Sequence, residues 1–418
     1  MRKSYGARIF AAYVFLGAVC GTTTPVVGQE TPTRIVLFVV DGAGIGMWSL
    51  ANYENDESAM RQFPVVGLVD TRSVRGFYPG SADAATSFAT GTRTFNGAIG
   101  VGPDSQPRET VLELASMRGL ATGLVTTARL TDATPASFSA HTPNRPDEAG
   151  IALQQADRDF AVFMGGGRRH FHPDGRPDSL DLIGCFRKNH AYVETGLDLE
   201  SIEIDTVTSL YGLFSWSDMP VYPDRDPSLA AMTSAALEVL DKDPDGFFLL
   251  LETESTDTET HDNVEYAVLA GEMIDVEATA QVLLEYQRNR PETLLLVLGD
   301  HDTGGLAVQR AAADRQLRTT AALLDTNAVR LGETAVMLTD ADVALLDSTR
   351  IFMSRTSAAL RRRAREVTNE TMLVARYTTG SHTSNMVPVF AKGPGAERFG
   401  GVIDNYRIGQ LLQEFVQR

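Results

Sequence analysis

Two segments of the sequence place acidic and histidine side chains at spacings that suit a metal ion. In LETESTDTETH, a spacing of four puts Asp257 and His261 on one face of a helix, and Glu252 precedes them. The same spacing is common on solvated helix faces, so this segment alone favours a structural role. In VLGDHDTGG, adjacent Asp300 and His301 precede glycines that let the chain leave regular structure.

Two further residues extend this set. Asp41 directly follows an apolar run, and His382 precedes another apolar run in TTGSHTSNMVPVF. Carboxylates that converge at the ends of buried strands repel one another unless cations compensate their charge. Mixed sets of histidine and carboxylate ligands suit zinc, whereas sets of oxygen ligands suit magnesium. Together these residues predict bound metal ions.

A candidate nucleophile lies in PGSADAATSFATG, where Ser81 opens a helical pattern. Free N–H groups and the helix dipole at that position would stabilise a phosphate or an oxyanion. Serine is also a leading N-cap residue, and locally this structural role is favoured. Thr86, Ser87 and Thr90 are rival hydroxyls, but their N–H groups would already be bonded within the helix.

The segment TDATPASFSAHTPNR supplies Asp132, Thr134 and Arg145. A guanidinium group binds two phosphate oxygens in a bidentate fork, which makes Arg145 a candidate phosphate ligand. Because Asn144 and Pro146 flank this arginine, a surface position fits the sequence equally well.

Buried strands and helices alternate along the chain. Strands are predicted at Ile35 to Val40, Ala121 to Thr127, Phe247 to Leu251, Leu294 to Leu298 and Val387 to Ala391. Helices are predicted at Ser228 to Leu240, Val264 to Tyr286 and Tyr406 to Val416. This order predicts an α/β fold with a large, mostly parallel sheet covered by helices on both faces. In such a sheet ligands bind at the carboxyl ends of the strands, where Asp41, Glu252 and Asp300 would meet.

The chain resembles the alkaline phosphatases from about Arg34 to its C-terminus. Five ordered motifs carry the resemblance: VVDGAG, GSADAATSFATG with RTFNGAIGV, TDATPAS with Arg145 following, LETESTDTETH, and GDHDTGG with GSHTSN. The resemblance implies an alkaline-phosphatase-like sandwich fold and hydrolysis of phosphate monoesters through a phosphoserine intermediate on Ser81. It also implies two zinc ions and one magnesium ion as cofactors.

The ligand sets are likewise implied by the resemblance. One zinc ion would be held by Asp257, His261 and His382, and the other by Asp41, Asp300 and His301. Asp41 would also reach magnesium, together with Thr134 and Glu252, while Asp132 would order water on that ion. Arg145 would bind the phosphoryl group of the substrate.

Two positions depart from the family pattern. Gly80 stands where the family usually has an aspartate before the nucleophile, so the carboxylate that would orient Arg145 is missing there, and Asp83 is not equivalent. Thr258 stands where many relatives carry lysine, histidine or tryptophan. Both changes bear on metal preference and on phosphate affinity.

Composition narrows the remaining classes of function. A formal net charge of −17 works against nucleic acid as a binding partner. Residues 1–28 have the layout of a signal peptide, which predicts an exported protein, periplasmic or extracellular, without stable membrane insertion. Residues 29–418 would form one domain with an insertion at about 307–376 that shapes the site rim, and a homodimer is possible.

Three other functions compete with a monoesterase. A phosphodiesterase or nucleotide pyrophosphatase of the same superfamily would keep both zinc sites but usually lacks the third metal site, so Thr134, Glu252 and Arg145 weigh against it. A sulfatase would need a proline and an arginine close behind its nucleophile, which Ser81 lacks. A non-catalytic metal-binding protein would not need Ser81.

Overall fold

A computed structural model describes residues 31–54, 57–310, 328–331, 334–337 and 373–417. Its strands are β1 Arg34–Val40, β2 Val65–Asp70, β3 Ala121–Arg129, β4 Val162–Gly166, β5 Ala191–Val193, β6 Leu210–Leu213, β7 Phe247–Thr253, β8 Thr293–Leu298, β9 Asp302–Thr303, β10 Ala307–Arg310, β11 Ala328–Leu331, β12 Thr334–Met337, β13 Leu373–Arg376, β14 His382–Thr383, β15 Val387–Lys392 and β16 Gly401–Asp404. Its helices are α1 Ile45–Glu54, α2 Ser81–Thr90, α3 Val111–Met117, α4 Ala133–Ser139, α5 Glu148–Ala156, α6 Leu182–Asn189, α7 Gly196–Ser201, α8 Leu229–Leu240, α9 Ser255–His261, α10 Tyr266–Asn289 and α11 Asn405–Gln417.

Ten of the strands form one sheet in the order β16-β2-β15-β8-β1-β7-β3-β4-β6-β5. The central strands pair in parallel, and β15 runs antiparallel to both of its neighbours, β8 and β2. The prediction of a large, mostly parallel α/β sheet is therefore confirmed. Each predicted strand and helix is also present, with bounds that differ by a few residues.

Both faces of the sheet are buried because its central strands are apolar on both sides. Val36, Phe38 and Val40 of β1 enter a core shared with α1, α8 and α10. Ile35, Leu37 and Val39 point the other way, into a core shared with α2, α3 and α11. Continuous apolar runs are typical of strands that helices cover on both faces.

The strand register brings the acidic strand ends together. Val39 of β1 pairs with Glu252 of β7 on one side and with Leu298 of β8 on the other. Asp41, one residue beyond β1, donates its backbone N–H to the carbonyl oxygen of Thr253 at 3.0 Å. Since the three strands are parallel, their carboxyl ends form one edge, and the polar residues that follow them face one crevice.

The predicted insertion at about 307–376 begins and ends in paired strands. Ala307 of β10 pairs with Arg376 of β13 in an antiparallel ladder, so the two ends of this stretch lie side by side. Between them, β11 and β12 pair in an antiparallel ladder. Residues 311–327 and 338–372 of the predicted insertion, and the predicted signal peptide at 1–28, lie outside the described residues. None of the described helices is both long enough and apolar enough to cross a bilayer.

Candidate functional site

One cluster of ligand-type atoms joins the ends of β1 and β8. Asp41, Asp300 and His301 are buried, and their ligand atoms lie within 4.8 Å of one another. The His301 Nε2 atom is 3.4 Å from an oxygen of Asp41 and 3.3 Å from an oxygen of Asp300. The structure thus brings together the three residues expected to share one zinc ion.

A second cluster lies beside the first, around α9 and β14. His261 and His382 face each other with their Nε2 atoms 3.0 Å apart, and Asp257 is 3.3 Å from His261. The set expected for the other zinc ion is therefore also assembled. His301 adjoins this set as well, because its ring stacks on His382 with centroids 3.7 Å apart.

Backbone carbonyl groups orient both histidines of the second cluster. The Nδ1 atom of His261 lies 2.9 Å from the carbonyl oxygen of Gly380, and that of His382 lies 2.7 Å from the oxygen of Pro79. A carbonyl oxygen only accepts, so each Nδ1 carries the proton in these contacts and each Nε2 is left to bind a ligand. Two Nε2 atoms that face each other at 3.0 Å are an arrangement that a shared cation would stabilise.

Burial and mutual repulsion shape the charges of the first cluster. Burial, followed by repulsion from Asp300, raises the pKa of Asp41 well above its usual value. Burial, followed by repulsion from Asp257, raises the pKa of Asp300 to about 6. Burial lowers the pKa of His301 and of His382 to about 4, so both rings are neutral at pH 7 and can donate a lone pair to a metal.

A third set of oxygen atoms lies where β7 meets α4. The carboxylate of Glu252 is fully buried and accepts a hydrogen bond from Thr126 at 2.5 Å. Burial raises the pKa of Glu252 to about 8, although the hydrogen bond from Thr126 opposes this shift. Thr134 lies in α4 with its side chain buried. Carboxylate and hydroxyl oxygens are hard ligands that suit magnesium.

Several buried oxygen atoms of these sets lack a hydrogen-bond partner among the described residues: Asp41 Oδ1, Asp300 Oδ2, Glu252 Oε1 and Thr134 Oγ1. Buried polar atoms in folded proteins are nearly always hydrogen-bonded, so each such atom requires an explanation. These four are among ten such atoms in the described residues, and they are the ones that belong to residues expected to ligate metal ions. The residues present therefore fit the implied metals in ligand type, burial and spare coordinating atoms.

Ser81 is the first residue of α2, not its N-cap. Gly80 occupies the N-cap position, and the carboxylate of Asp83 accepts its backbone N–H at 2.8 Å. The locally favoured N-cap role for Ser81 is therefore wrong, because Asp83 closes the helix start instead. The hydroxyl of Ser81 is buried and lies 3.3 Å from Nε2 of His301, at the first cluster.

The rival hydroxyls of α2 are occupied elsewhere. Thr86 donates to the carbonyl oxygen of Ala98 at 2.8 Å, Ser87 to that of Asp83 at 2.7 Å, and Thr90 to that of Thr86 at 2.8 Å. These bonds hold the hydroxyls within the helix and its packing, away from the crevice.

The side chain of Arg145 is bonded to Asp132, and Gly80 offers it no carboxylate. Nη2 of Arg145 donates to Oδ1 of Asp132 at 3.1 Å, and the Arg145 side chain remains 39% exposed. Asp132 is the N-cap residue of α4, which brings it to the same rim as Thr134. A side chain at Gly80 would meet Asn96, because a Cβ atom there would lie 2.5 Å from Nδ2 of that residue.

Two residues near the crevice were not predicted from the sequence. Arg129 donates from Nη2 to Oδ1 of Asp132 at 2.8 Å, so this carboxylate binds two guanidinium groups. The one indication in the sequence was that Arg129 lies three residues before Asp132. Glu254 accepts a hydrogen bond from the exposed Thr258, and burial raises the pKa of Glu254 to about 7.

Comparisons with known proteins agree with this geometry. The family model described as alkaline phosphatase matches residues 34–418. Alkaline phosphatase 3 of Bacillus subtilis is 31% identical, over 93% of this chain and 90% of its own length. The repressible alkaline phosphatase of Saccharomyces cerevisiae is 36% identical over 66% of this chain, and the match spans only 56% of that relative.

Solved structures share the fold. A variant of TAB5 alkaline phosphatase with Mg bound in its M3 site superposes with a TM-score of 0.74, at 27% identity, over 93% of this chain and 99% of that one. The fold, the ordered clusters and the family match along residues 34–418 lead to one conclusion: this chain belongs to the alkaline phosphatase family of enzymes.

Proposed function

We propose that the protein hydrolyses phosphate monoesters to an alcohol and inorganic phosphate through a phosphoserine intermediate on Ser81. The observation that carries this proposal is the position of the Ser81 hydroxyl, which is buried at the start of α2 and 3.3 Å from His301. The hydroxyl therefore borders both histidine and carboxylate clusters. Neither a structural helix cap nor metal storage requires a hydroxyl at this point.

Two zinc ions and one magnesium ion are the proposed cofactors. Asp41, Asp300 and His301 would hold one zinc ion, and Asp257, His261 and His382 the other. Asp41, Thr134 and Glu252 would hold magnesium, near Asp132, and the Mg reported in the TAB5 variant supports a third site. When bound, such metals neutralise charge on phosphate oxygens and lower the pKa of coordinated hydroxyl groups and water.

Ser81 is the nucleophile in the proposed reaction. The Ser81 oxygen would attack phosphorus and give up its proton to water in the crevice, and the bond from phosphorus to the leaving alcohol oxygen would break. That alcohol oxygen takes up a proton as it departs. Water then attacks phosphorus, the Ser81–phosphorus bond breaks, and Ser81 regains a proton as inorganic phosphate is released.

Arg145 and the start of α2 would hold the transferred phosphoryl group. Arg145 projects from the rim with Asp132 fixing one nitrogen of its guanidinium group. The first N–H groups of α2 have no partner within the helix, so they would be available to bind an anion held near Ser81. These donors would stabilise the charge on the equatorial oxygens in the transition state.

Replacing Arg145 with alanine is expected to lower kcat/KM and to weaken binding of inorganic phosphate. Losing a charge-assisted fork of about 1.5 to 3 kcal/mol corresponds to roughly a tenfold to hundredfold decrease in kcat/KM. Metal content, measured by elemental analysis, should stay unchanged. Arg108→Ala provides a matched control, because Arg108 forms an exposed ion pair with Asp104. An unchanged kcat/KM in Arg145→Ala would show that this side chain does not bind the substrate.

A phosphodiesterase or nucleotide pyrophosphatase is the main alternative activity. A buried Glu252 with the Thr134 hydroxyl close to its carboxylate supports a third metal site, which favours a monoesterase. An assay of the purified protein on a chromogenic monoester and the corresponding diester, with and without zinc and magnesium, tests the proposal. Faster turnover of the diester would contradict it, and metal binding without turnover of either ester would favour a non-catalytic metal-binding protein.

The protein is further proposed to act outside the cytoplasm, as its basic and then apolar N-terminal sequence suggests. We propose a homodimer as its assembly state. N-terminal sequencing of the exported protein should show a start close to Gln29, and light scattering would give its mass in solution.

A further inference from the structure

Arg129 lies at the centre of an ionic network behind the phosphate side of the crevice. Its three donor nitrogens each reach a different carboxylate: Nε bonds Glu148 at 3.1 Å, Nη2 bonds Asp132 at 2.8 Å, and Nη1 bonds Asp218. The backbone N–H of Arg129 also donates to Asp218 at 2.9 Å. The guanidinium group is planar and rigid, so three simultaneous partners leave it one orientation.

The remote end of this network is itself anchored. Glu148, the first residue of α5, also accepts from Thr131 at 2.6 Å, and its Oε2 atom lies 2.7 Å from Nε2 of His170. Burial opposes ionisation of Glu148, but the hydrogen bonds from His170 and Thr131 and the charge of Arg129 lower its pKa to about 2. Glu148 is thus a charged, fixed partner for Arg129 at neutral pH.

The near end of the network reaches Arg145 through a single carboxylate. Oδ1 of Asp132 accepts from Arg129 at 2.8 Å and from Arg145 at 3.1 Å. Asp132 is 7% exposed, whereas Arg145 is 39% exposed and has Asp132 as its side-chain partner among the described residues. The orientation of Arg145 therefore depends on where Arg129 holds Asp132, since Gly80 offers no second carboxylate.

From this geometry we propose that Arg129 is a positioning residue that orients Arg145 for the phosphoryl group by holding Asp132 in place. The inference rests on the proposed function, because it concerns the same phosphate subsite. Nε, Nη1 and Nη2 of Arg129 each bond a carboxylate. In this proposal Arg129 therefore acts through Asp132 and does not contact the substrate.

The experiment measures the affinity of the metal-loaded protein for inorganic phosphate by calorimetry, which needs no turnover. The variants are Arg129→Gln, Arg145→Ala and the double variant. Arg129→Gln is expected to weaken phosphate binding about tenfold, and the double variant should bind no more weakly than Arg145→Ala alone. Arg34→Gln is the control, because Arg34 bonds Asp241 and Glu292 with a similar exposure of 13%, against 19% for Arg129. It should leave phosphate affinity unchanged.

Several results would overturn the proposal: unchanged phosphate affinity in Arg129→Gln, equal weakening by this change with and without Arg145, or loss of metal from Arg129→Gln. A purely structural role would not depend on Arg145. If Arg129→Gln fails to fold, Asp218→Asn replaces it, with a smaller weakening expected that again requires Arg145. The protein could bind phosphate, with an effect of Arg129→Gln that depends on Arg145, and yet not hydrolyse a monoester. That result would contradict the proposed function and still support the positioning role of Arg129.

Discussion

Replacing Ser81 with alanine is expected to lower kcat/KM for a phosphate monoester at least about a thousandfold, because the substitution removes the attacking atom of a covalent mechanism. Metal content should be retained, since Ser81 is not among the expected carboxylate and histidine ligands. Ser87→Ala is the matched control in the same helix. Its hydroxyl donates to the carbonyl oxygen of Asp83 within α2, so its loss should leave activity nearly unchanged.

The same assignment can be tested by trapping the intermediate. The reaction is run at mildly acidic pH and then stopped with acid. Mass analysis of the peptides should locate phosphate on Ser81. Phosphate on Thr86, Ser87 or Thr90 would contradict the assignment. Substantial activity in a metal-loaded Ser81→Ala variant would favour direct attack by water on the ester.

Removing the metal ions with a chelator is expected to reduce activity to background, and zinc with magnesium should restore it. Elemental analysis of the active protein should give close to two equivalents of zinc and one of magnesium. The physical reason is the set of buried, mutually repelling carboxylates, which includes Asp41, Glu252 and Asp300. A preparation that is active without a transition metal would contradict the proposal.

Metal removal should also lower the thermal midpoint of unfolding. Ligands that bind the folded state stabilise it by mass action, so the loss of bound cations removes that contribution.

Glu252→Gln provides a selective test at the expected magnesium set. It should reduce the magnesium content while zinc remains, because the buried carboxylate is replaced by a neutral amide of similar size. Equal loss of zinc from this variant would show that the sets are not separate.

The sequence by itself determined the fold class and the edge of the sheet at which the site lies. Apolar runs of strand length alternate with helical patterns, and each of Asp41, Glu252 and Asp300 stands at the end of such a run. In a parallel sheet the carboxyl ends of the strands meet at one edge whatever the details of packing. Convergence of these residues could therefore be predicted from local patterns alone.

Only the tertiary structure decided which side chains within that crevice touch. The N-cap residue of α2 is Gly80 and not Ser81, and the carboxylate of Asp83 accepts the backbone N–H of Gly80. His301 proved to lie within reach of both clusters, and Asp132 was bonded to Arg145 and Arg129. These contacts depend on side-chain rotamers and on segments distant in sequence, such as Arg129 and Asp218, which are 89 residues apart. Local periodicity carries no information about such approaches, because packing of the helices against the sheet sets them.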